Sequence, residues 1–84
     1  MAGFPQLREA GWLYGDDPYL PLALVRLFER MDGTGWEVWL DVNHPREGEK
    51  PLTVVEHPDE ESARAELARL YSTGEWRIRQ PDAL

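Results

Sequence analysis

The chain has no cysteine and only two histidines among its 84 residues. Without cysteine there is no disulfide, no thiolate metal ligand and no thiol nucleophile. No stretch approaches the ~20 consecutive apolar residues of a membrane-spanning helix. Positive charge is also scarce: 9 basic against 16 acidic residues leave a formal net charge of −7. That balance opposes nucleic-acid phosphates and anionic lipid. It favours solubility and, where a partner exists, a basic one. The start, Met-Ala-Gly-Phe-Pro-Gln-Leu-Arg-Glu, has no basic segment followed by an apolar run, as a signal peptide would. Ala2 stands where N-myristoylation requires glycine. A cytoplasmic location is the default expectation.

What the chain does have is aromatic bulk: four Trp, three Tyr and two Phe. A chain of this length buries only around 60% of its unfolded surface, so those large side chains must serve it well. The length fits a single domain, residues 1–84. Residues 1–21 contain Pro5, Pro18, Pro21, Gly3, Gly11 and Gly15. They read as an irregular segment packing on the rest, with Trp12-Leu13-Tyr14 as a short strand or a loop plugged into the core.

The clearest signal is a hairpin from Leu22 to Val42. Asp32-Gly33-Thr34-Gly35 supplies the positive φ angles of a tight turn between two alternating strands, Leu22–Met31 and Trp36–Val42. A four-residue loop sets Arg30 opposite Glu37, Phe28 opposite Trp39 and Arg26 opposite Asp41. The other side then pairs Glu29 with Val38, Leu27 with Leu40 and Val25 with Val42. A two-residue turn slides the partners but keeps the faces, because the parity is unchanged. Either way one face is almost wholly apolar, and the other carries aromatics among opposite charges.

A polar loop, Asn43 to Lys50, leads to a third strand at Leu52–Glu56. Pro58 to Thr73 reads as one amphipathic helix, with Pro58 in its first turn. Asp59, Glu60 and Glu61 stand at its positive end, and Glu60 and Arg64 form an i,i+4 pair. Ala63, Leu67, Leu70 and Tyr71 form its apolar stripe, and Gly74 its C-terminal stop. Trp76-Arg77-Ile78 is a short last strand, and residues 80–84 read as a frayed tail. The expected fold is therefore α+β: a small two-layer sandwich, its mostly antiparallel sheet of three or four strands (β-β-β-α-β) covered by one helix. Its expected core is Val25, Leu27, Trp36, Val38, Leu40, Val42, Val54, Ala63, Leu67, Leu70 and Ile78, with Trp76 at the edge.

Chemistry has few candidates. His44 follows the second of these strands and His57 ends the third. Antiparallel pairing puts them at opposite ends of a strand roughly 15–20 Å long. They are not expected to share a metal or a proton. Ser62, Ser72, Thr34, Thr53 and Thr73 show no nucleophile-elbow pattern. Glu56-His57-Pro58-Asp59-Glu60-Glu61 carries ligand types suited to zinc or manganese, but reads better as a helix start. No cofactor and no enzymatic activity are expected.

Binding surfaces remain. The first is Arg26, Phe28, Arg30, Glu37, Trp39 and Asp41 on the outer hairpin face, where Trp and Arg are typical hot-spot residues. The competing reading is that residues 1–21 fold across this face and make Trp39 core. The second surface is acidic: Glu47, Glu49, Glu56, Asp59, Glu60 and Glu61 (Glu66 is a lesser member). Such an array can occupy a basic groove. The function expected is a small acidic, non-catalytic protein-binding module, an inhibitor or adaptor acting on a basic partner. The alternative is nucleic-acid binding through Arg26, Arg30, Arg77 and Arg79 with stacked aromatics. A homodimer formed edge to edge is a third option, since the Leu22–Met31 and Leu52–Glu56 strands can each leave an edge open. No membrane partner is expected.

From Leu24 to Trp76, the order of hairpin, strand and helix resembles the WGR domain. The Gly-rich turn in Asp32-Gly33-Thr34-Gly35-Trp36-Glu37-Val38-Trp39 adds to the likeness. The Trp-Gly-Arg triplet of that domain is missing, with Val42-Asn43-His44 near its place. The acidic balance also departs from a DNA-binding module, so no residue role carries over.

Overall fold

The computed structural model describes residues 5–31, 33–72 and 75–79, and the side chains of 6–31 and 33–72. The chain forms β1 (Pro5–Tyr14), β2 (Pro21–Arg30), β3 (Trp36–Val42), β4 (Leu52–His57), α1 (Glu60–Tyr71) and β5 (Glu75–Arg79). The strands build one antiparallel sheet in the order β4-β3-β2-β1-β5. The class is α+β, as expected, but the order is β-β-β-β-α-β. The added strand is β1, within the stretch expected to be irregular.

The disguise of β1 has a physical cause. A register shift between Leu7 and Glu9 inserts one extra residue opposite β2. Leu7, Ala10, Trp12 and Tyr14 then share one face, although their spacing breaks strict alternation. Pro5 opens the strand, where a missing ladder donor is tolerated. β1 lies between β2 and β5, so β2 has no free edge. The sheet edges are β4 and β5. Residues 80–84, Gly74 and the side chains of Trp76, Arg77, Ile78 and Arg79 lie outside the described residues.

The β2–β3 register pairs Glu29 with Trp36, Leu27 with Val38 and Val25 with Leu40. This is the register of the tighter turn, two residues away from the four-residue-loop pairing. The Arg30 N–H donates to the Gly35 carbonyl at 3.0 Å, and the Gly33 N–H donates to the Arg30 carbonyl at 3.1 Å. Gly33 and Gly35 have φ of 74° and 149°, which L side chains rarely adopt. The faces are preserved, as parity demands.

α1 packs on the face of Val25, Leu27 and Val38. These three, with Ala63 and Leu67, form the buried core, and Trp36, Leu40, Leu70 and Tyr71 pack against it. Burying a Val or Leu fully stabilises by about 1.5–3 kcal/mol, so these few contacts dominate the fold. Val54 is not core: it points to the other face and is 42% exposed.

The helix begins two residues later than expected. Asp59 is its N-cap, accepting from the Ser62 N–H at 2.8 Å and the Ser62 hydroxyl at 2.6 Å. Pro58 therefore precedes the cap. Those bonds, the hydroxyl first, hold the Asp59 carboxyl below its ordinary range. The helix is also tied to β1. Glu9 accepts from the Tyr71 hydroxyl at 2.9 Å and pairs with Arg64 at 3.1 Å.

Candidate functional site

The face away from α1 is built from three cross-strand rows. The register aligns Leu7, Phe28, Glu37 and Glu56 in one row. Ala10, Arg26, Trp39 and Val54 form the next. Trp12, Leu24, Asp41 and Leu52 form the third. Period-two alternation places these residues together, and the bulge in β1 brings Ala10 and Trp12 into line.

The structure brings all six expected hairpin residues together. The three expected pairs, Arg30 with Glu37, Phe28 with Trp39 and Arg26 with Asp41, meet diagonally, because the register is two residues from the four-residue-loop pairing, and Arg26 stands directly opposite Trp39. Phe28 and Trp39 lie with ring centroids 5.0 Å apart, tilted by 59°, a favourable aromatic geometry. The Arg26 guanidinium sits over both, 5.2 Å from the Trp39 ring and 5.8 Å from Phe28. Arg26 also reaches Asp41 at 3.6 Å. Trp39 is partly buried by these neighbours. No described element crosses the face, since the segment expected to cover it is instead β1, within the sheet.

Glu37 and Glu56 stand directly opposite each other on β3 and β4, an unfavourable like-charge pair. Arg30 resolves it by donating to both, at 2.8 Å to Glu37 and in a still closer contact to Glu56. The Trp39 indole N–H adds a bond to Glu37 at 2.8 Å. Burial pushes the Glu37 carboxyl up, but the bonds from Trp39 and Arg30 outweigh it and hold the group below its ordinary value. The bonds from Glu37 and then Glu56 raise the Arg30 guanidinium further above its already high value.

The expected acidic surface is dispersed. Glu56 belongs to the Arg30 cluster on the open face. Asp59 is consumed as a helix cap, and Glu60 pairs with Arg64 at 2.8 Å. Glu49 closes its own loop, accepting from the Arg46 N–H at 2.9 Å. Glu47 and Glu49 lie at the Leu52 end of β4, and Asp59, Glu60 and Glu61 follow its other end. The length of β4 separates the two groups, so they do not form one array.

The histidines are separated in the same way. His44 lines a shallow cleft with Leu22, Val42, Arg46 and Glu49. His57 is paired with Trp36 at the other end of β3, with its Nε2 3.4 Å from Glu66. Among the described residues, no three His, Asp or Glu side chains gather as a metal site. No described helix is long and apolar enough to cross a membrane. On β5, Arg77 pairs with Trp12 and Arg79 with Ala10 along the backbone.

Glu9 was not legible as a joint between β1 and α1, because its strand was not. Glu56 was assigned to the acidic surface, although its position opposite Glu37 follows once β4 is in register. Compared with known proteins, the chain matches no family model, no curated sequence and no solved structure, so the likeness to the WGR domain remains one of pattern.

Proposed function

We propose that this chain is a small, non-catalytic protein-binding module, acting in the cytoplasm as an inhibitor or adaptor. Its docking face is the outer surface of β2 and β3, with Trp39 and Phe28 as anchors. The observation that carries the reading is the Phe28–Trp39–Arg26 stack on a sheet face that no described element crosses. A rigid aromatic pair ringed by paired charges has the make-up of a binding hot spot. Glu37, Asp41 and Glu56 rim the stack, and the net charge of −7 favours a basic partner.

Nucleic-acid binding through the same face is the weaker reading. Arg30 is held by two carboxylates and Arg26 lies beside Asp41, so neither has charge to spare for a phosphate. The test is affinity capture from host lysate, with and without nuclease, using the wild type and Trp39→Ala. A protein recovered in both nuclease arms and lost with a folded Trp39→Ala variant supports the docking face. Capture that Trp39→Ala leaves unchanged removes it. Recovery that depends on nucleic acid favours the arginine reading.

A further inference from the structure

Between β1 and β2 the chain presents a tyrosine that the fold itself does not use. Tyr19 is 91% exposed, and Leu20 and Leu22 beside it are 46% and 45% exposed. The turn that carries them is firmly built. Asp17 and Pro18 hold the first two positions of a four-residue turn, where each is favoured. The Leu20 N–H donates to the Asp17 carbonyl at 3.3 Å. The Tyr19 N–H donates to the Asp17 carboxylate at 2.9 Å. The root of the turn is tied down as well. The Pro21 carbonyl accepts from the Asn43 side-chain amide at 2.8 Å, and the Leu22 carbonyl from the Asn43 N–H at 2.9 Å. Tyr19 is thus held out at one place, and a partner need not order the segment in order to bind it.

The charge around Tyr19 has one sign. Asp16 and Asp17 are exposed beside it. The neighbouring loop, residues 43–51, does not offset them, because Arg46 and Lys50 are matched there by Glu47 and Glu49. Arg77 enters only opposite Trp12, two residues in from the end of β1. The two aspartates repel phosphate backbones and anionic lipid. We propose that this turn is a second docking element, a knob that enters an apolar pocket with a basic rim on another protein. Tyr19 fills the pocket, as a large, rigid side chain of a hot-spot type. Leu20 lies against its lip, and Asp16 meets a lysine or arginine of the rim. A second copy of this chain does not offer that rim at this end of the sheet. The cleft there, lined by Leu22, Val42, His44, Arg46 and Glu49, sets Glu49 beside Arg46. The knob is also separate from the open face, since Leu22 lies four residues from Arg26 along β2, about 13 Å.

The experiment places the photo-crosslinker p-benzoylphenylalanine at position 19 of the full chain, expressed in its host. Mass spectrometry then locates the bond on whatever is captured. The same probe at exposed Glu61 supplies the background. Unlabelled wild type, Tyr19→Ala, Asp16→Lys and Trp39→Ala compete for the crosslink. Tyr19 and Asp16 lend no side-chain bond to the turn, so their variants keep the fold, and circular dichroism checks each. The expected bond falls in an apolar pocket of another protein, ringed by more Lys and Arg than Asp and Glu. Tyr19→Ala should compete about tenfold or more worse than wild type, and Asp16→Lys should also compete worse. Capture no greater than from position 61 overturns the proposal. So does a bond to a second copy, to an acidic surface, to nucleic acid or to lipid, and so does equal competition by Tyr19→Ala. Trp39→Ala should compete as wild type does. If it fails as Tyr19→Ala does, the turn is only a rim of the open-face site and the second element falls. The open face can fail its own test while this crosslink persists.

Discussion

Replacing Trp39 with alanine separates a docking anchor from a core residue by stability alone. A fully buried aromatic truncated to alanine costs about 3–5 kcal/mol. Trp39 is only partly buried. Its tilted contact with Phe28 contributes about 0.5–1.5 kcal/mol beyond burial, and its bond to Glu37 leaves Glu37 still held by Arg30 when removed. The expected loss is about 2–3 kcal/mol. A domain of 84 residues has about 4–13 kcal/mol in total, so the variant stays folded. Leu27, fully buried at 0% exposure beneath α1, provides the contrast. Leu27→Ala should cost about 3–5 kcal/mol, through lost burial and the cavity left behind. Urea melts of the wild type and both variants, read by circular dichroism, measure these losses. A Trp39→Ala loss equal to or above that of Leu27→Ala would mean that the residue is core, and the docking face would have to be abandoned.

Arg30→Met should destabilise most near neutral pH, because it leaves Glu37 and Glu56 facing each other without their shared cation. The folded-state pKa of Glu37 is depressed, so its contribution is present above the ordinary carboxylate pKa of about 4 and lost as pH falls below it. The gap between wild type and variant should therefore narrow in acid; urea melts at neutral and acidic pH that show a constant gap would contradict this. Tyr71 is pushed up by burial and then by its bond to Glu9. Its stability contribution is complete below about pH 10 and declines above it, where the unfolded tyrosine ionises and the folded one keeps its proton. Tyr71→Phe should flatten that alkaline decline in thermal melts, while losing about 1 kcal/mol at neutral pH. Gly35→Ala should cost more than about 2 kcal/mol in a urea melt, since a Cβ there would stand 2.5 Å from the His57 carbonyl oxygen at φ +149°.

The hairpin, β4, the helix and most of the core could be read from the residues, because alternation and capping are local signals. Arg26, Phe28, Arg30, Glu37, Trp39 and Asp41 reached one face for the same reason: parity survives a two-residue slip. What parity does not fix is which neighbours touch, and there the register turned opposite pairs into diagonal ones. β1 was hidden because its extra residue near Arg8 breaks alternation, and Pro5 and Gly11 within it imitate a loop. Val54 was assigned to the core because β-branched strand residues can serve either face, and only the pairing with Trp39 decides. The acidic residues seemed a single surface in the sequence because their separation is set by the length of β4, not by their spacing along the chain.

The pairing of β5 with β1 has a consequence for synthesis. The hairpins from β1 to β4 close between neighbours in sequence and can form as they leave the ribosome. One edge of β1, however, waits for residues 75–79, some sixty positions later. The Glu9 contacts to Arg64 and Tyr71 wait almost as long. Until then a nascent sheet carries a bare β1 edge and an uncovered apolar face over Val25 and Leu27. The chain is most prone to mispairing in that interval, and the arrival of β5 ends it.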